Sequence, residues 1–174
     1  MKKIESSRLV FYKIQNDSFR FFYKYLSDPL LTRFLPLGEP YSRDKVLEYL
    51  ANRIKHWNIH QFGIYLLSRK STGNIIGYCG IEYVKETIFV DIRYGVIPEQ
   101  WGKGFAKEAA LKCIEFGFNT LNFSIIYGVA VPENISSISV LKKIGMTPND
   151  KAEFYGDVVN YYHIKKTEFV RSKT

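Results

Sequence analysis

The stretch that decides the fold of this chain is VIPEQWGKGFAKEA, residues 96–109. Its pattern predicts the end of a strand, a turn that contains Gly102 and Gly104, and the start of a helix. Glycine in the turn lets a ligand approach the backbone closely. The N–H groups of the first helical turn have no partner within the helix and lie at the positive end of its dipole, so they favour an anion. The stretch therefore predicts a phosphate site.

The turn differs from the glycine-rich loops that bind nucleotides. Lys103 lies between the two glycines and no Gly-Lys-Ser or Gly-Lys-Thr follows, which excludes a P-loop. Gly102, Gly104 and Ala106 recur at every second residue, which excludes the dinucleotide fingerprint. Two interpretations of the turn therefore stay open, an anion site and an ordinary connection between a strand and a helix.

The length and composition are those of one globular domain that spans residues 1–174, with 46% hydrophobic residues. No apolar run approaches the roughly 20 residues that cross a bilayer, and no apolar segment follows the basic residues at the N-terminus. Cys79 and Cys113 lack the spacing of metal ligands, and we expect them to be buried and reduced. We therefore expect a cytoplasmic protein with no membrane contact.

The charge balance favours an anionic partner. The chain carries 25 Lys and Arg residues against 17 Asp and Glu residues, which gives a net charge of +8. A basic surface attracts polyanions, so nucleic acid, a ribosome and a phosphorylated cofactor are all candidate partners. The basic residues are scattered along the chain, so a charge that serves only solubility is an equal alternative.

Hydrophobic periodicity predicts the element order β-α-α-β-β-β-α-β-α-β, with an antiparallel meander in the middle and a parallel pair after it. The predicted strands cover residues 7–14, 63–68, 75–83, 88–97, 124–131 and 158–167. The predicted helices begin near Asn16 or Asp17, at Ser42, at Glu99 and at Ser136. Residues 30–40 contain two prolines and a glycine, and we expect a loop there.

A second motif follows one strand after the glycine turn. It consists of Asn134 and Ser137, followed by Leu141, Lys143 and Gly145. Together with the pattern Trp-Gly-Lys-Gly-Phe-Ala-Lys-Glu-Ala at residues 101–109, it resembles the GNAT superfamily of acyl-CoA-dependent N-acetyltransferases. The resemblance is closest to the branch that includes ribosomal-protein alanine acetyltransferases. The segments Ser-Arg-Leu at 7–9, Ile-Gly-Tyr-Cys-Gly-Ile at 76–81 and Asp-Ile-Arg-Tyr at 91–94 also resemble this branch.

This resemblance implies an α/β fold of a single GNAT-like domain. A mixed, mostly antiparallel sheet would be flanked by helices, with a splayed cleft between two central strands. It also implies acetyl-CoA as a co-substrate and no metal, with the pyrophosphate at the glycine turn and the pantetheine arm paired with strand 94–97. The implied cofactor-binding residues are Tyr94, Val96, Ile97, Trp101, Gly102, Lys103, Gly104, Phe105, Ala106, Asn134 and Ser137.

The implied reaction is direct attack of an amine on the thioester, which needs a proton acceptor for the amine and a donor for the thioester oxygen. Glu82 and Asp91 are the candidate bases, and a backbone N–H near Val96 is the candidate oxyanion donor. Many relatives place an acidic Tyr where this chain has Leu141, so Ser137 is the candidate acid. A cap at the start of a helix is the alternative role for Ser137.

The acceptor is left open between a protein N-terminus, which includes possible ribosome contact, and a small amine such as a polyamine or an antibiotic. We expect a monomer or a homodimer. Two other functions stay as alternatives, an acyl-CoA-binding sensor without turnover and a ribosome- or RNA-associated protein. Tyr155, Tyr161 and Tyr162 are expected to serve packing more than substrate binding. His56 and His60 are four residues apart but have no third ligand, so we expect no metal site there.

Overall fold

The computed structural model describes residues 4–171, in which eight strands form a single sheet with helices on both faces. The strands are β1 (Ile4–Glu5), β2 (Leu9–Lys13), β3 (Ile64–Arg69), β4 (Ile75–Tyr83), β5 (Val90–Val96), β6 (Ile125–Ala130), β7 (Thr147–Pro148) and β8 (Asn160–Lys165). The helices are α1 (Phe19–Leu26), α2 (Pro29–Thr32), α3 (Arg43–His60), α4 (Phe105–Asn119), α5 (Ile135–Lys143) and α6 (Lys166–Arg171). The strand order is β1-β2-β3-β4-β5-β6-β8-β7. The predicted fold class, a mixed and mostly antiparallel sheet flanked by helices, is confirmed.

The sheet divides between β5 and β6. The meander β3-β4-β5 is antiparallel throughout, as predicted. Strands β5 and β6 run parallel, and in the described residues their pairing is confined to Asp91 and Tyr127. Beyond this pair the described residues of the two strands form no ladder, whereas β6 pairs with β8 along its other side. This region of residues 92–96, where β5 lacks a partner on the β6 side, is called the gap below.

Helices cover the two faces of the sheet differently. On one face, called the α3 face, Arg53 of α3 reaches Glu82 of β4, and Trp57 of α3 donates to the Ile64 carbonyl at 2.7 Å. On the other face, called the α4 face, Gly117 lets α4 lie close to the sheet. A side chain at position 117 would collide with Ile81 of β4 and Ile126 of β6. Each helix contributes a buried apolar stripe, as its spacing predicts.

Element boundaries differ from the prediction in several places. Residues 29–32 form the short helix α2 within the predicted loop, because the Asp28 side chain caps it by accepting the Leu30 N–H at 2.8 Å. Helix α4 begins at Phe105 instead of Glu99, since Pro98–Gln100 forms a separate 3₁₀ turn. Strand β8 ends at Lys165, where the chain turns into α6. Within the described ranges, no helix is both long enough and apolar enough to cross a membrane.

Candidate active site

Strand β5 presents an open backbone edge to the gap. The Ile97 N–H donates to the Ile76 carbonyl at 2.9 Å. Because hydrogen-bonded and non-bonded pairs alternate in an antiparallel ladder, the backbone groups of Gly95 face β4, whereas those of Tyr94 and Val96 face the gap. The edge therefore offers the Tyr94 backbone groups and the Val96 N–H to an extended ligand, whereas the Val96 carbonyl accepts from the Trp101 side chain. Ile97 is predicted to bind the same ligand, but its N–H is already hydrogen-bonded to β4.

The glycine turn leads from this edge to the start of α4. Gly102 and Gly104 have φ values of 71° and 78°, a left-handed conformation that favours glycine. Among the described residues, a Cβ at Gly102 would meet no atom within 4 Å, and one at Gly104 would meet only Arg8, at 3.6 Å. The first hydrogen bond of α4 joins the Glu108 N–H to the Gly104 carbonyl, so the N–H groups of residues 105–107 have no partner in the helix. The turn therefore combines open space with helix N–H groups that have no partner within the helix, the features on which the predicted anion site rests, and it is called the anion cradle below.

Side chains around the turn fix its shape and add positive charge. The Trp101 indole donates to the Val96 carbonyl at 2.6 Å, and the Lys103 ammonium donates to the Glu99 carbonyl at 2.6 Å. Phe105 is buried, and the Arg8 guanidinium lies 4.3 Å from its ring centre. Ala106 is partly buried behind the turn. The predicted residues 101–106 therefore form one structural unit with Arg8, which the sequence pattern did not place there.

Glu108 ties the start of β2 to the turn. Its carboxylate accepts from the Arg8 side chain at 2.6 Å, from the Arg8 backbone N–H at 2.7 Å and from the Ser6 hydroxyl at 2.7 Å. Burial raises the pKa of Glu108, but the bonds from Ser6 and Arg8 outweigh it and leave the pKa lower than usual. Arg8 in turn donates to the Lys103 carbonyl at 3.0 Å, so this network supports the turn itself.

Replacing Glu108 by Gln is expected to lower the thermal stability most at neutral pH. The lowered pKa of Glu108 in the folded state means that its stabilising contribution is present above the unfolded-state pKa and is lost as the pH falls through the folded-state pKa. Calorimetric melting of both proteins between pH 7 and pH 3 measures this difference. A difference in Tm that stays constant over this range would contradict the assignment. Glu48→Gln, in an exposed pair with Lys45, is the matched control.

The far side of the gap is formed by the start of α5. The Asn134 side chain caps this helix by accepting the Ser137 N–H at 3.1 Å. The Ser137 hydroxyl lies 2.9 Å from the phenol oxygen of Tyr94, which extends from β5. The second motif therefore contacts β5 at the gap, through a hydrogen bond that the sequence did not predict. The capping role expected as the alternative for Ser137 belongs instead to Asn134.

Leu141 lies in the core and cannot take part in the chemistry. It is 1% exposed, and a Cβ at Gly128 of β6 would collide with its side chain. A tyrosine at this position would need room that this core does not have. The absence of an acid at position 141 is therefore built into the packing of α5 on β6.

On the α3 face, the two predicted bases belong to one buried cluster of charges. Glu82 and Asp91 are direct partners on β4 and β5, so their side chains lie on the same face, and they are 1% and 2% exposed. Asp91 accepts from the Arg93 Nε at 3.1 Å and from the Tyr155 hydroxyl at 2.8 Å. Glu82 Oε2 lies 3.1 Å from the Arg53 guanidinium. The Tyr155 hydroxyl also accepts from Arg93 at 2.7 Å.

The two carboxylates differ in what they can do. Both oxygens of Asp91 are occupied by donors. Glu82 Oε1, in contrast, is buried and has no hydrogen-bond partner among the described residues. Burial raises the pKa of Glu82 above its usual value, although Arg53 and Arg93 oppose this shift. An unpaired carboxylate oxygen with a raised pKa is suited to accept a proton, so Glu82 is the stronger candidate base.

The sequence analysis missed three members of this cluster. Arg53 continues the buried stripe of Val46, Leu50 and Trp57 at helical spacing, so its position on the inner side of α3 was readable from the sequence. Arg93 is a charged residue within an otherwise apolar strand, which is also a readable signal. Tyr155 was expected to serve packing. It lies in the loop between β7 and β8, and no local pattern places it beside Asp91.

The two histidines of α3 do not meet metal ligands among the described residues. Tyr83 donates its backbone N–H to His56 Nε2 at 3.1 Å, so Nδ1 carries the proton that bonds to the Phe62 carbonyl at 2.9 Å. Burial, together with the neighbouring His60, lowers the pKa of His56 to about 4. His56 therefore fixes the end of α3 against β4 as a neutral side chain.

The gap thus separates two kinds of chemistry. Because side chains alternate along β5, Arg93 points to the α3 face with Asp91 and Glu82, whereas Tyr94 points to the α4 face with Ser137. The buried carboxylates therefore lie on one face of the sheet, and the Tyr94 and Ser137 hydroxyls lie on the other.

Comparison with known proteins identifies this arrangement. Residues 8–147 match the family described as acetyltransferase (GNAT) domain. An uncharacterized N-acetyltransferase of Bacillus subtilis, YnaD, is 31% identical over 144 residues, which cover 82% of this chain and 81% of the relative.

Solved structures show the same fold. An acetyltransferase from Agrobacterium tumefaciens superposes with a TM-score of 0.84 at 21% identity, over 94% of both chains. Spermidine N-acetyltransferase from Vibrio cholerae, solved in complex with CoA and spermine, superposes with a TM-score of 0.75 at 21% identity, over 94% of this chain and 99% of the neighbour. The chain therefore belongs to the GNAT acetyltransferase family and is an N-acetyltransferase that uses acetyl-CoA.

Proposed function

We propose that this chain transfers the acetyl group of acetyl-CoA to the primary amine of a small molecule, by direct attack on the thioester. The observation that carries the proposal is the position of the Glu82 carboxylate on one face of the sheet and of the Tyr94–Ser137 pair on the other. The anion cradle at Gly102–Ala106 suits the pyrophosphate, and the open edge of β5 suits the pantetheine arm. Asn134, which caps α5 beside the gap, would contact the same pantetheine arm. The net charge of +8 also favours this anionic co-substrate.

The residues of the site have different roles in the proposed reaction. Acetyl-CoA, when bound, supplies the thioester. Glu82 takes a proton from the attacking amine through a water molecule, because its carboxylate is buried. The Val96 N–H, which faces the gap, donates to the thioester oxygen as that oxygen gains charge. Ser137 donates a hydrogen bond to the sulfur as the C–N bond forms and the electron pair of the C–S bond passes to sulfur. Asp91 holds Arg93 and Tyr155 in place.

The enclosure of the α3 face supports a small acceptor. The Tyr25 hydroxyl of α1 lies against Gly95, where any side chain would collide with it. From the opposite side, Tyr155 reaches over Arg93. Side chains from two elements therefore cover residues 93–95 of β5, so an acceptor that reaches this part of the strand has to be small. The Vibrio cholerae neighbour, whose complex contains spermine, supports the same class of acceptor.

The charges of the cluster bear on which small amine reacts best. Glu82 and Asp91 are each paired with an arginine, whereas a polyamine with several positive charges needs free carboxylates. We therefore expect a monoamine to be a better acceptor than spermidine. An acceptor at a protein N-terminus, which the ribosomal-protein branch suggests, stays the competing prediction.

An acceptor panel tests this function. The purified protein is incubated with acetyl-CoA and, separately, with simple primary monoamines, spermidine, spermine and tripeptides with a free N-terminus. Thiol release and the mass of the product are both measured. We expect thiol release with at least one small amine and an acetylated product. Tight CoA binding without thiol release for any acceptor would instead favour a sensor, and acetylated tripeptides alone would favour a protein acceptor.

Replacing Ser137 by Ala is expected to lower kcat about fivefold, which corresponds to the ~1 kcal/mol of one hydrogen bond. The dissociation constant of CoA should change less than about twofold, because the N-cap from Asn134 uses the Ser137 backbone. Steady-state kinetics and calorimetric titration with CoA separate the two effects. Ser136→Ala, an exposed hydroxyl one residue earlier, is the matched control. Unchanged turnover in Ser137→Ala would remove Ser137 from the reaction.

A further inference from the structure

The contact between Tyr94 and residue 137 has two parts. The Tyr94 phenol donates to the Ser137 carbonyl at 3.0 Å, and its oxygen lies 2.9 Å from the Ser137 hydroxyl. Tyr94 belongs to β5 and Ser137 to the first turn of α5, so these bonds span the gap where β5 and β6 are unpaired. Among the described hydrogen bonds, this is the link between a β5 side chain and α5.

The number of protons decides what this contact can do. A phenol has one proton, and when the Ser137 carbonyl accepts it, the Ser137 hydroxyl has to donate to Tyr94. The serine proton is then not available to another acceptor. If the phenol proton turns to the Ser137 Oγ, the serine hydroxyl is free to donate elsewhere. Both acceptors belong to residue 137 and lie at similar distances, so a small rotation of the phenol O–H exchanges them.

We propose that Tyr94 is the positioning residue that frees the Ser137 hydroxyl proton and directs it at the leaving sulfur of CoA. The proposal rests on the function proposed above. In the chain Tyr O–H to Ser Oγ–H to sulfur, each hydrogen bond strengthens the next as negative charge appears on sulfur. The C–N bond forms and the C–S bond breaks, the electron pair goes to sulfur, and the amine proton goes to Glu82. Neither hydroxyl gives up its proton.

The protonation state of the Tyr94 phenol agrees with this role. Burial raises its pKa well above the usual value, and the hydrogen bond from Ser137 offsets this only in part. The phenol therefore stays protonated at physiological pH and acts as a fixed donor. A phenylalanine at position 94 would keep the ring packed between the helices and the sheet and would remove only the donor.

A double-mutant cycle tests the coupling of the two residues. Tyr94→Phe is expected to lower kcat about fivefold, the effect of one lost hydrogen bond, with little change in the KM for acetyl-CoA. In the Ser137→Ala background the same substitution should have no further effect, because Tyr94 acts through the serine. Tyr65→Phe, which removes the hydroxyl of another buried tyrosine on β3, is the matched control and should leave kcat unchanged. Independent, multiplicative losses in the double variant would overturn the proposal.

A second readout needs no acceptor. Titration with CoA and with desulfo-CoA from about pH 7 to about pH 9.5, a range that brackets the usual thiol pKa, gives the pKa of the bound thiol from the difference in affinity. Tyr94→Phe and Ser137→Ala should each raise this pKa by about 0.7, a fivefold change in ionisation, and the double variant should go no further. An unchanged thiol pKa in Tyr94→Phe would overturn the proposal. A wild type that transfers no acetyl group but shows these shifts would refute the proposed function and leave the Tyr94 assignment standing.

Discussion

Replacing Gly104 by Val is expected to weaken CoA binding at least tenfold, about 1.4 kcal/mol. Gly104 is the N-cap of α4 at φ 78°, where a β-branched residue is strongly disfavoured. The added branches also project into the cradle that we assign to the pyrophosphate, where Arg8 is the only neighbour within 4 Å of that Cβ. Calorimetric titration with CoA measures the loss. An unchanged affinity in a folded variant would show that the phosphate assignment is wrong.

Two controls separate lost phosphate contacts from general strain. Gly73→Val, in the turn between β3 and β4, has nearly the same φ of 72° and open space around its Cβ. It should cost similar stability, about 1–3 kcal/mol, and leave CoA affinity intact. S-acetylpantetheine lacks the pyrophosphate, so its weaker binding should be almost the same in Gly104→Val as in the wild type. Equal losses for both ligands would instead indicate a collapsed gap.

Replacing Glu82 by Gln is expected to lower kcat/KM roughly 100-fold, the lower end of what a general base contributes. The pH profile gives the sharper result. Because the raised pKa of Glu82 delays its deprotonation, the wild-type rate should climb with pH above the range of an exposed glutamate. The amide introduced by Glu82→Gln cannot titrate, so the ratio of the wild-type rate to the variant rate should grow as pH rises through that pKa. A constant ratio would assign the base elsewhere.

A loss of folded protein is not expected to explain the lower kcat/KM of Glu82→Gln. A carboxyl whose folded-state pKa is raised stabilises the fold only below its unfolded-state pKa, and that contribution is lost as pH rises. The amide keeps the volume of the carboxyl and an oxygen that can accept from Arg53, and the Tm of Glu82→Gln at neutral pH, measured beside the kinetics, separates a folding defect from the loss of the base. Glu115→Gln, which makes the same change of charge on the partly exposed side of α4, is the matched control. Its kcat/KM should stay within about twofold of the wild type, as for other surface substitutions.

The part of the molecule that the sequence predicts is the part built from local patterns. The glycine turn, the cap at Ser42 and the buried stripes of α3 and α4 depend on neighbours a few residues away. The two-residue strands β1 and β7 carry too few residues for a periodic pattern. The sequence predicts that α4 starts at Glu99, whereas it starts at Phe105. The 3₁₀ turn at Pro98 has the same residue preferences as a helix start, so the sequence pattern does not distinguish the two.

The contacts of the candidate active site are long-range, and most of them could not be predicted from the sequence. Arg8 and Glu108 are 100 residues apart in sequence, and Tyr155 is 64 residues from Asp91. Such pairs follow from strand order, which periodicity does not define. The resemblance to the GNAT superfamily placed Ser137 and Glu82 near the gap, but it offered no partner for either residue. Tyr94 was predicted for its backbone alone, whereas its side chain forms the contact with Ser137.

Gly117 has a mechanical consequence for this enzyme. Its missing side chain seats α4 directly against Ile81 of one half of the sheet and Ile126 of the other. Among the described residues, strands β5 and β6 share one ladder pair, so hydrogen bonds alone cannot set the distance between the halves. The helix acts as a spacer between the two halves of the sheet, and its thickness sets the width of the gap. Catalytic geometry in this protein is therefore sensitive to the hydrophobic interior on the α4 face, at residues that no substrate ever touches.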